Sequence, residues 1–409
     1  MRRSLLGLLA GLALGGAIGA CGKATPQTLQ PALTAPGAAA PQGAIALATK
    51  NTTRLGGANA ATDAAAVAQT VYPGLTPATR PQAVVLVDDG NWPAALAAAQ
   101  LASAPLGAPL LYAHDGELPP VSARGLRAMN PSGATALGGV QVIRVGTTAA
   151  VPDGYRASTI AAAGGPASAA AAVERLARTV QRKQPRQVIV VATSADPALQ
   201  MPAAGLAAES GAPILFTDDS GLPAPTASAL ASLRRPTIYL LGAPTVGAGA
   251  LAALGRYGRV VRIASGEATR GATGEGEGDP VTNAVSVSRF SDGSFGWGIR
   301  EAGHGLAFVN SSRTLDAPAA APLSSHGDYA PLLLLSDRAS LPAPLARYLS
   351  NIEPGYTATI GPVREVYNHG WLIGDDHAIS ARVQAEIDAI LEVAPRTSSS
   401  AAPPPPAPE

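Results

Sequence analysis

Three stretches of this chain pass from small residues into a short apolar run, an acidic turn and a Leu-Pro. They are APLLYAHDGELP from Ala108 to Pro119, APILFTDDSGLP from Ala212 to Pro223, and APLLLLSDRASLP from Ala330 to Pro342. An apolar run bounded by turn residues predicts a strand covered on both faces of a parallel sheet. The Leu-Pro predicts a helix with proline at its first position, where the missing N–H would be unpaired anyway. Pro109 and Pro213 are 104 residues apart, and Pro213 and Pro331 are 118 apart. A period of about a hundred residues is too long for a solenoid repeat and suits a small domain. The pattern therefore predicts three tandem α/β modules.

The segments around each marker agree. In the first module, Arg54-Leu55-Gly56-Gly57 reads as a turn into an alanine-rich helix over 60–70, followed by the buried strand Ala83-Val84-Val85-Leu86-Val87 and its Asp88-Asp89-Gly90 turn. Trp92 to Ala102 forms a helix with almost no large side chains, which can lie close to a sheet. Gln141 to Val145 is a further strand. The second module repeats the order with a helix over 169–182, strands over 187–192 and 237–242, and a small-residue helix over 203–209. The third has a helix over 281–290, a strand over 306–310, an alanine helix over 315–323 and a strand over 371–374. A closing helix over 378–391 carries Ile379, Val383, Ile387 and Ile390 on one face. Alternating strands and helices predict right-handed βαβ units and open, mainly parallel sheets. The module limits read as 44–153, 154–258 and 259–394, the last with insertions near 271–279 and 353–369.

Composition narrows the function. The chain has 409 residues, 47% hydrophobic, with a formal net charge of +1. That balance argues against nucleic acid as a partner, because phosphate binding leaves a basic excess. Aromatics are only 4%, too few for a carbohydrate-stacking platform. The one cysteine, Cys21, follows a positive Arg2-Arg3, an apolar Leu5 to Ile18 and the small residues Gly19-Ala20. This is the layout of an export signal, and its apolar run is too short to span a membrane comfortably. Residues 1–20 are read as signal, 21–43 as a flexible tether and 395–409 as a proline-rich disordered tail. With no cysteine beyond Cys21, the exported modules fold without disulfides.

Ile18-Gly19-Ala20-Cys21 resembles the lipobox of bacterial lipoproteins, which implies lipidation of Cys21 and an anchor on the outer face of the cytoplasmic membrane or in the cell envelope. The modules resemble the cell wall-binding repeat 2 family. The resemblance rests on Arg54 with Gly57, Arg262 with Gly266, Gly-Ala-Pro ending at Pro109 and Pro213, Ala-Pro at Pro331, and the helix beginning Leu315-Asp316-Ala317. It implies Toprim-like or Rossmann-like sheets packed about a pseudo-threefold axis, and noncovalent binding of anionic cell-wall polysaccharide without catalysis or cofactor. Asp316 is the family's helix aspartate; Ala94 and Leu199 stand in its place in the other modules.

Arginine pairs phosphate or carboxylate bidentately, so the expected polymer contacts are Arg54, Arg144, Arg156, Arg262, Arg313 and Arg338, at module starts or strand ends. Asp88, Asp89, Asp115, Asp218, Asp219 and Asp337 fall at strand ends, where open α/β sheets place ligands, and are read first as turn and cap residues. His304, His326, His369 and His377, with Asp316, Asp328, Asp375 and Asp376, define a less favoured metal-dependent enzyme; none has a ligand spacing such as HExxH. Ser194 and Ser311-Ser312 lack a nucleophile elbow. A scaffold binding another envelope protein is the remaining alternative.

Overall fold

The computed structural model describes residues 45–218, 221–242, 246–263, 278–326, 329–356 and 367–395. The export signal, Cys21, the tether, residues 396–409, Asp219, Asp328 and most of the 271–279 insertion lie outside the described residues.

Strands β1 (Ile45–Ala48) and β2 (Thr52–Gly56) open the described chain and are followed by α1 (Ala60–Val71). Then come β3 (Val84–Asp88), α2 (Trp92–Ala98) with a 3₁₀ turn over Ala99–Ala102, β4 (Leu110–Ala113), α3 (Pro120–Met129), β5 (Val142–Val145) and β6 (Ala157–Ile160). The middle of the chain gives α4 (Gly165–Gln181), β7 (Gln187–Ala192), α5 (Pro197–Gln200), α6 (Pro202–Ser210), β8 (Ile214–Thr217), α7 (Ala224–Ser232), β9 (Thr237–Leu240), α8 (Ala248–Gly255) and β10 (Arg259–Arg262). The last third gives α9 (Pro280–Arg289), β11 (Gly305–Asn310), α10 (Asp316–Ser325), β12 (Leu332–Leu335), α11 (Ala343–Asn351), β13 (Gly355–Tyr356), β14 (His369–Ile373), α12 (Ala381–Ile390) and β15 (Ala394–Pro395).

The long strands form three sheets, ordered β4-β3-β5-β6, β8-β7-β9-β10 and β12-β11-β14-β2-β1. Apart from β1, which runs antiparallel to β2, every pairing in them is parallel. The three signature strands β4, β8 and β12 are fully buried, as their unbroken apolar runs require.

Each sheet takes its outer strand from the segment that begins the next unit. β6 lies past the limit at 153 yet pairs with β5, and β10 lies past the limit at 258 yet pairs with β9. For the third sheet there is no next unit, and the chain's own beginning fills the place: β2 pairs with β14 through Thr53↔Trp371 and Leu372↔Arg54. Residues 53–57, expected as a turn, are therefore mostly strand. The short TTRLG has no long apolar run, and the partner that joins it to the third sheet lies over 300 residues away, so its sequence does not announce it.

Helix packing is cyclic in the same sense. α2 contacts β8, α6 contacts β12 and α10 contacts β4, while α6, α10 and the 3₁₀ turn at 99–102 contact one another in all three pairings. These are the small-residue helices of the three units, and alanine lets them approach closely. Gly205 marks the tightest point: a Cβ there would stand 2.7 Å from the Ser324 Oγ and 3.0 Å from the Leu332 Cγ. The Ser324 hydroxyl is already committed, donating to the Ala330 carbonyl at 2.5 Å. One detail of the sequence reading shifts by a residue: Pro119, Pro223 and Pro342 are N-caps rather than first helical residues.

Gly205→Leu is expected to force α6 from α10 and to lower stability by about 1–3 kcal/mol, the usual cost of overpacking. Chemical denaturation of the purified protein checks this, and a variant as stable as the parent would refute the close packing.

Candidate functional site

The most constrained polar cluster lies where the first unit meets the third. β2 ends at Gly56, whose φ of +121° suits glycine, and Asn59 caps α1 by accepting from the Thr62 amide at 3.0 Å. One residue further on, Asp63 is completely buried. Its Oδ1 accepts from the Gly57 amide at 2.6 Å. A Cβ on Gly56 would stand 2.1 Å from that oxygen, so the glycine is required twice over, by conformation and by space.

From the third unit, the turn after β11 delivers the counter-charge. Asn310 Oδ1 accepts from the Ser312 amide and hydroxyl at 2.9 and 2.7 Å, which shapes the turn that carries Arg313. Arg313 Nη2 donates to Asp63 Oδ2, Nε donates to Asp316 Oδ2 at 2.7 Å, and Nη1 reaches the Ala58 carbonyl at 3.3 Å. Asp316 opens α10 and is 1% exposed, at the end of the helix where the dipole favours a carboxylate. Tyr112 of β4 completes the joint by donating its hydroxyl to the Leu315 carbonyl at 2.6 Å.

Two buried carboxyls beside one guanidinium cannot both ionise cheaply. Burial, aided by the Asp316 charge and opposed by Arg313, pushes the Asp63 carboxyl up to about 9. Burial also raises Asp316, against the pull of Arg313. For Arg313, burial works against the charge, but Asp316 and Asp63 outweigh it and hold the guanidinium charged. At neutral pH Asp63 therefore keeps its proton. Its carboxyls are shut off from solvent, so the arrangement clamps two units together rather than presenting an acid and a base to a substrate.

The corresponding positions in the other units are not ionic. Asn283, four residues after the α9 cap Asp279, donates to the Leu199 carbonyl at 2.8 Å across the joint between the third and second units. In α4 the same position is Ser168. Asp63 was not singled out by sequence, although a lone acid in the alanine run of α1 is the trace it leaves.

The six arginines expected to bind polymer are not brought into one groove. Arg54, Arg313 and Arg338 gather round the ends of β2, β11 and β14. Arg54 is 3% exposed and donates to Gln384 Oε1 at 2.9 Å and to the carbonyls of Gly374 and Asp375 at 3.2 and 2.7 Å. Arg54 and Arg313 are thus spent inside the fold, because each closes backbone or carboxylate groups that β2 and α1 bring against the third unit. Arg338 pairs with Asp376 at 3.2 Å on the surface. Arg144 reaches the Thr148 and Ala149 carbonyls at 3.4 and 3.3 Å, and Arg156 bonds the Gly138 carbonyl, both in the first unit. Arg262 is exposed at the end of β10 in the second.

Of the strand-end aspartates, Asp88 and Asp337 hold turns, while Asp89 pairs with the His114 ring at 3.0 Å. Asp88 accepts from the Gly90 and Gly116 amides at 3.1 and 3.0 Å, and Asp337 accepts from the Ala339 amide and the Ser340 hydroxyl at 2.9 and 2.8 Å. Of the late histidines only His304 and His369 meet, the His369 amide bonding the His304 carbonyl at 3.0 Å. His326 stacks on Tyr72 with ring centroids 5.2 Å apart, His369 begins β14 against Thr53, and His377 lies beyond the other end of β14. Among the described residues, no group of three or more His, Cys, Asp or Glu is placed to hold a metal ion. No described helix is long and apolar enough to cross a membrane.

Residues 54–156 match the model of the cell wall binding domain 2 (CWB2) family. The match begins at Arg54, the residue that opens the β2-to-α1 passage. Among solved structures, Cwp6 from Clostridium difficile aligns with a TM-score of 0.63 at 16% identity, over 85% of this chain and 51% of that one. Cwp8 from Clostridium difficile aligns with a TM-score of 0.59 at 17% identity, over 84% of this chain and 52% of that one. The chain spans about half the length of these two proteins, and the likeness establishes a common fold. A search of curated proteins finds no match.

Asp63→Asn is expected to fold, as Asn283 does at the equivalent position. Because the folded pKa of Asp63 lies above its unfolded value, its contribution to stability is complete below about pH 4 and is lost as pH rises through about 9. Melting temperatures of the parent should fall over that window more steeply than those of Asp63→Asn; parallel curves would refute the buried proton. Arg313→Met leaves two buried carboxyls without a counter-charge and should cost about 3–5 kcal/mol, read by the same melts.

Proposed function

We propose that this chain is a non-enzymatic cell-envelope protein that binds anionic cell-wall polysaccharide through its α/β units and is held to a membrane by a lipid on Cys21. The observation that carries the reading is the match of residues 54–156 to a cell wall binding domain. Two features support extending it to the whole chain. The second and third sheets have the same strand order as the first, and the alignment with Cwp6 runs over 85% of the chain. The buried acids Asp63 and Asp316 serve the joint between units, which agrees with a binding role.

With a lipid anchor at one end, wall binding at the other would connect two layers of the envelope across the spacer at 21–43. The partner on this reading is a polymer bearing phosphate or carboxylate groups, met by guanidinium and ammonium groups on the surface.

Purified protein should sediment with isolated cell walls, and chemical extraction of the anionic secondary polymers from the walls should abolish sedimentation. Equal binding before and after extraction would overturn the polymer reading. Recovery of only a protein by crosslinking in intact cells would favour a scaffold role.

A further inference from the structure

Three sheets of the same strand order have three comparable ends, and their charges differ. The N-terminal ends of β7, β9 and β10 lie side by side, since Gln187 is in register with Thr237 and Thr237 with Arg259. The Thr237 amide bonds the Arg186 carbonyl at 2.8 Å, which fixes two of the preceding loops together. Those three loops carry Arg182, Lys183, Arg186, Arg234, Arg235 and Arg256, all exposed. None of the six forms an ion pair among the described residues. Arg259, at the foot of β10, is paired with Asp292 at 3.4 Å. Strands about 4.8 Å apart place the three loops in a row about 10 Å long.

The other two ends lack this concentration. At the corresponding end of the first sheet stand Arg80, Arg127 in the last turn of α3, and Arg156, the last bonded to the Gly138 carbonyl, with Asp153 beside them. At that of the third, Lys50 and Arg300 alternate with Glu301, Glu353, Asp388 and Glu392, and Lys50 is paired with Glu392. Helix C-termini favour cations at all three ends, and that effect alone would give three equal ends. In the second unit, moreover, Arg182 and Arg235 occupy left-handed backbone positions, each at φ +51°, that favour glycine. A net charge of only +1 for the whole chain makes the local excess a matter of placement.

We infer that this basic end of the second unit is the polyanion-binding site, with Arg182, Lys183, Arg186, Arg234, Arg235 and Arg256 taking successive phosphate or carboxylate groups along one polymer strand. The inference rests on the polymer reading above and locates it. A linear polymer with one negative charge per monomer can run along the row of loops, each charge meeting a cation and releasing its counterions. A bilayer surface is the less suitable occupant: among the described residues the exposed large hydrophobic side chains are Leu47, Leu75, Tyr329 and Tyr367, none of them in these loops.

The test compares two triple variants of equal charge change in the full chain. Lys183→Glu/Arg186→Glu/Arg234→Glu alters the row, while Arg124→Glu/Arg127→Glu/Arg382→Glu alters exposed cations on α3 and α12. Each is titrated against isolated walls over a range of salt, against walls stripped of anionic polymer, and against vesicles containing phosphatidylglycerol. The row variant is expected to lose roughly ten-fold or more in wall affinity and to show a shallower salt dependence; the control should stay near the parent. If both variants bind walls alike while stripping still abolishes parent binding, the location is overturned and the polymer reading survives. If stripping leaves parent binding unchanged, the polymer reading itself falls. If the parent prefers vesicles and the row variant loses that preference, the row is a membrane contact and the inference is overturned.

Discussion

The fold depends on joining two parts of the chain that no short loop connects. The first and second units, and the second and third, are continuous in sequence, but the third reaches the first only through noncovalent contacts. β2 supplies the strand that the third sheet lacks, and Asp63, Arg313 and Asp316 fix the helices beside it. Without β2, one edge of β14 would present unpaired backbone groups. The long separation between β2 and β14 also means that this pairing carries the largest loop-closure entropy of any in the fold, although that cost grows only slowly with length.

A buried ionic set is an expensive way to make a joint, and the joint between the second and third units shows a cheaper one. Asn283 bridges to a backbone carbonyl with one neutral hydrogen bond, and Ser168 occupies the third position. The ionic version needs a retained proton on Asp63, a glycine at 56 to admit the carboxyl group, and an arginine that reaches two acids at once. Its return is geometric: a planar guanidinium bound by two carboxyls fixes distance and angle more tightly than one amide bond. That is useful where chain connectivity gives no help.

Much of the architecture was legible because buried parallel strands leave long apolar runs. Ala83 to Val87 and the three Ala-Pro strands needed no partner to be recognised, and the turn roles of Asp88 and Asp337 followed from their neighbours. β2 was not legible, because TTRLG has no apolar run of its own and sits between the short β1 and the distant β14. The fate of the arginines was hidden for the same reason. Arg54 looks like any exposed cation until the third unit closes over it, whereas Arg186 and Arg234 look unremarkable until β7 and β9 are placed in register. Charge in a repeat fold is thus harder to read from sequence than hydrophobicity, since the side chains that meet come from different units.

Open α/β sheets usually bind ligands at the carboxyl ends of their strands, and in this chain that end has other work. In the third sheet it holds the clamp of Asp63, Arg313 and Asp316 and the buried Arg54; in the first it carries Asp88, Asp89 and Asp115, whose charges repel a polyanion. The opposite end is built from loops that join a helix to the next strand, and these are free to change once the strands are fixed. Three equivalent sheets then permit one end to gather cations while the other two keep neutral or mixed charge. Repetition holds the backbone constant, and the difference between the ends is left to side chains that no packing interaction requires.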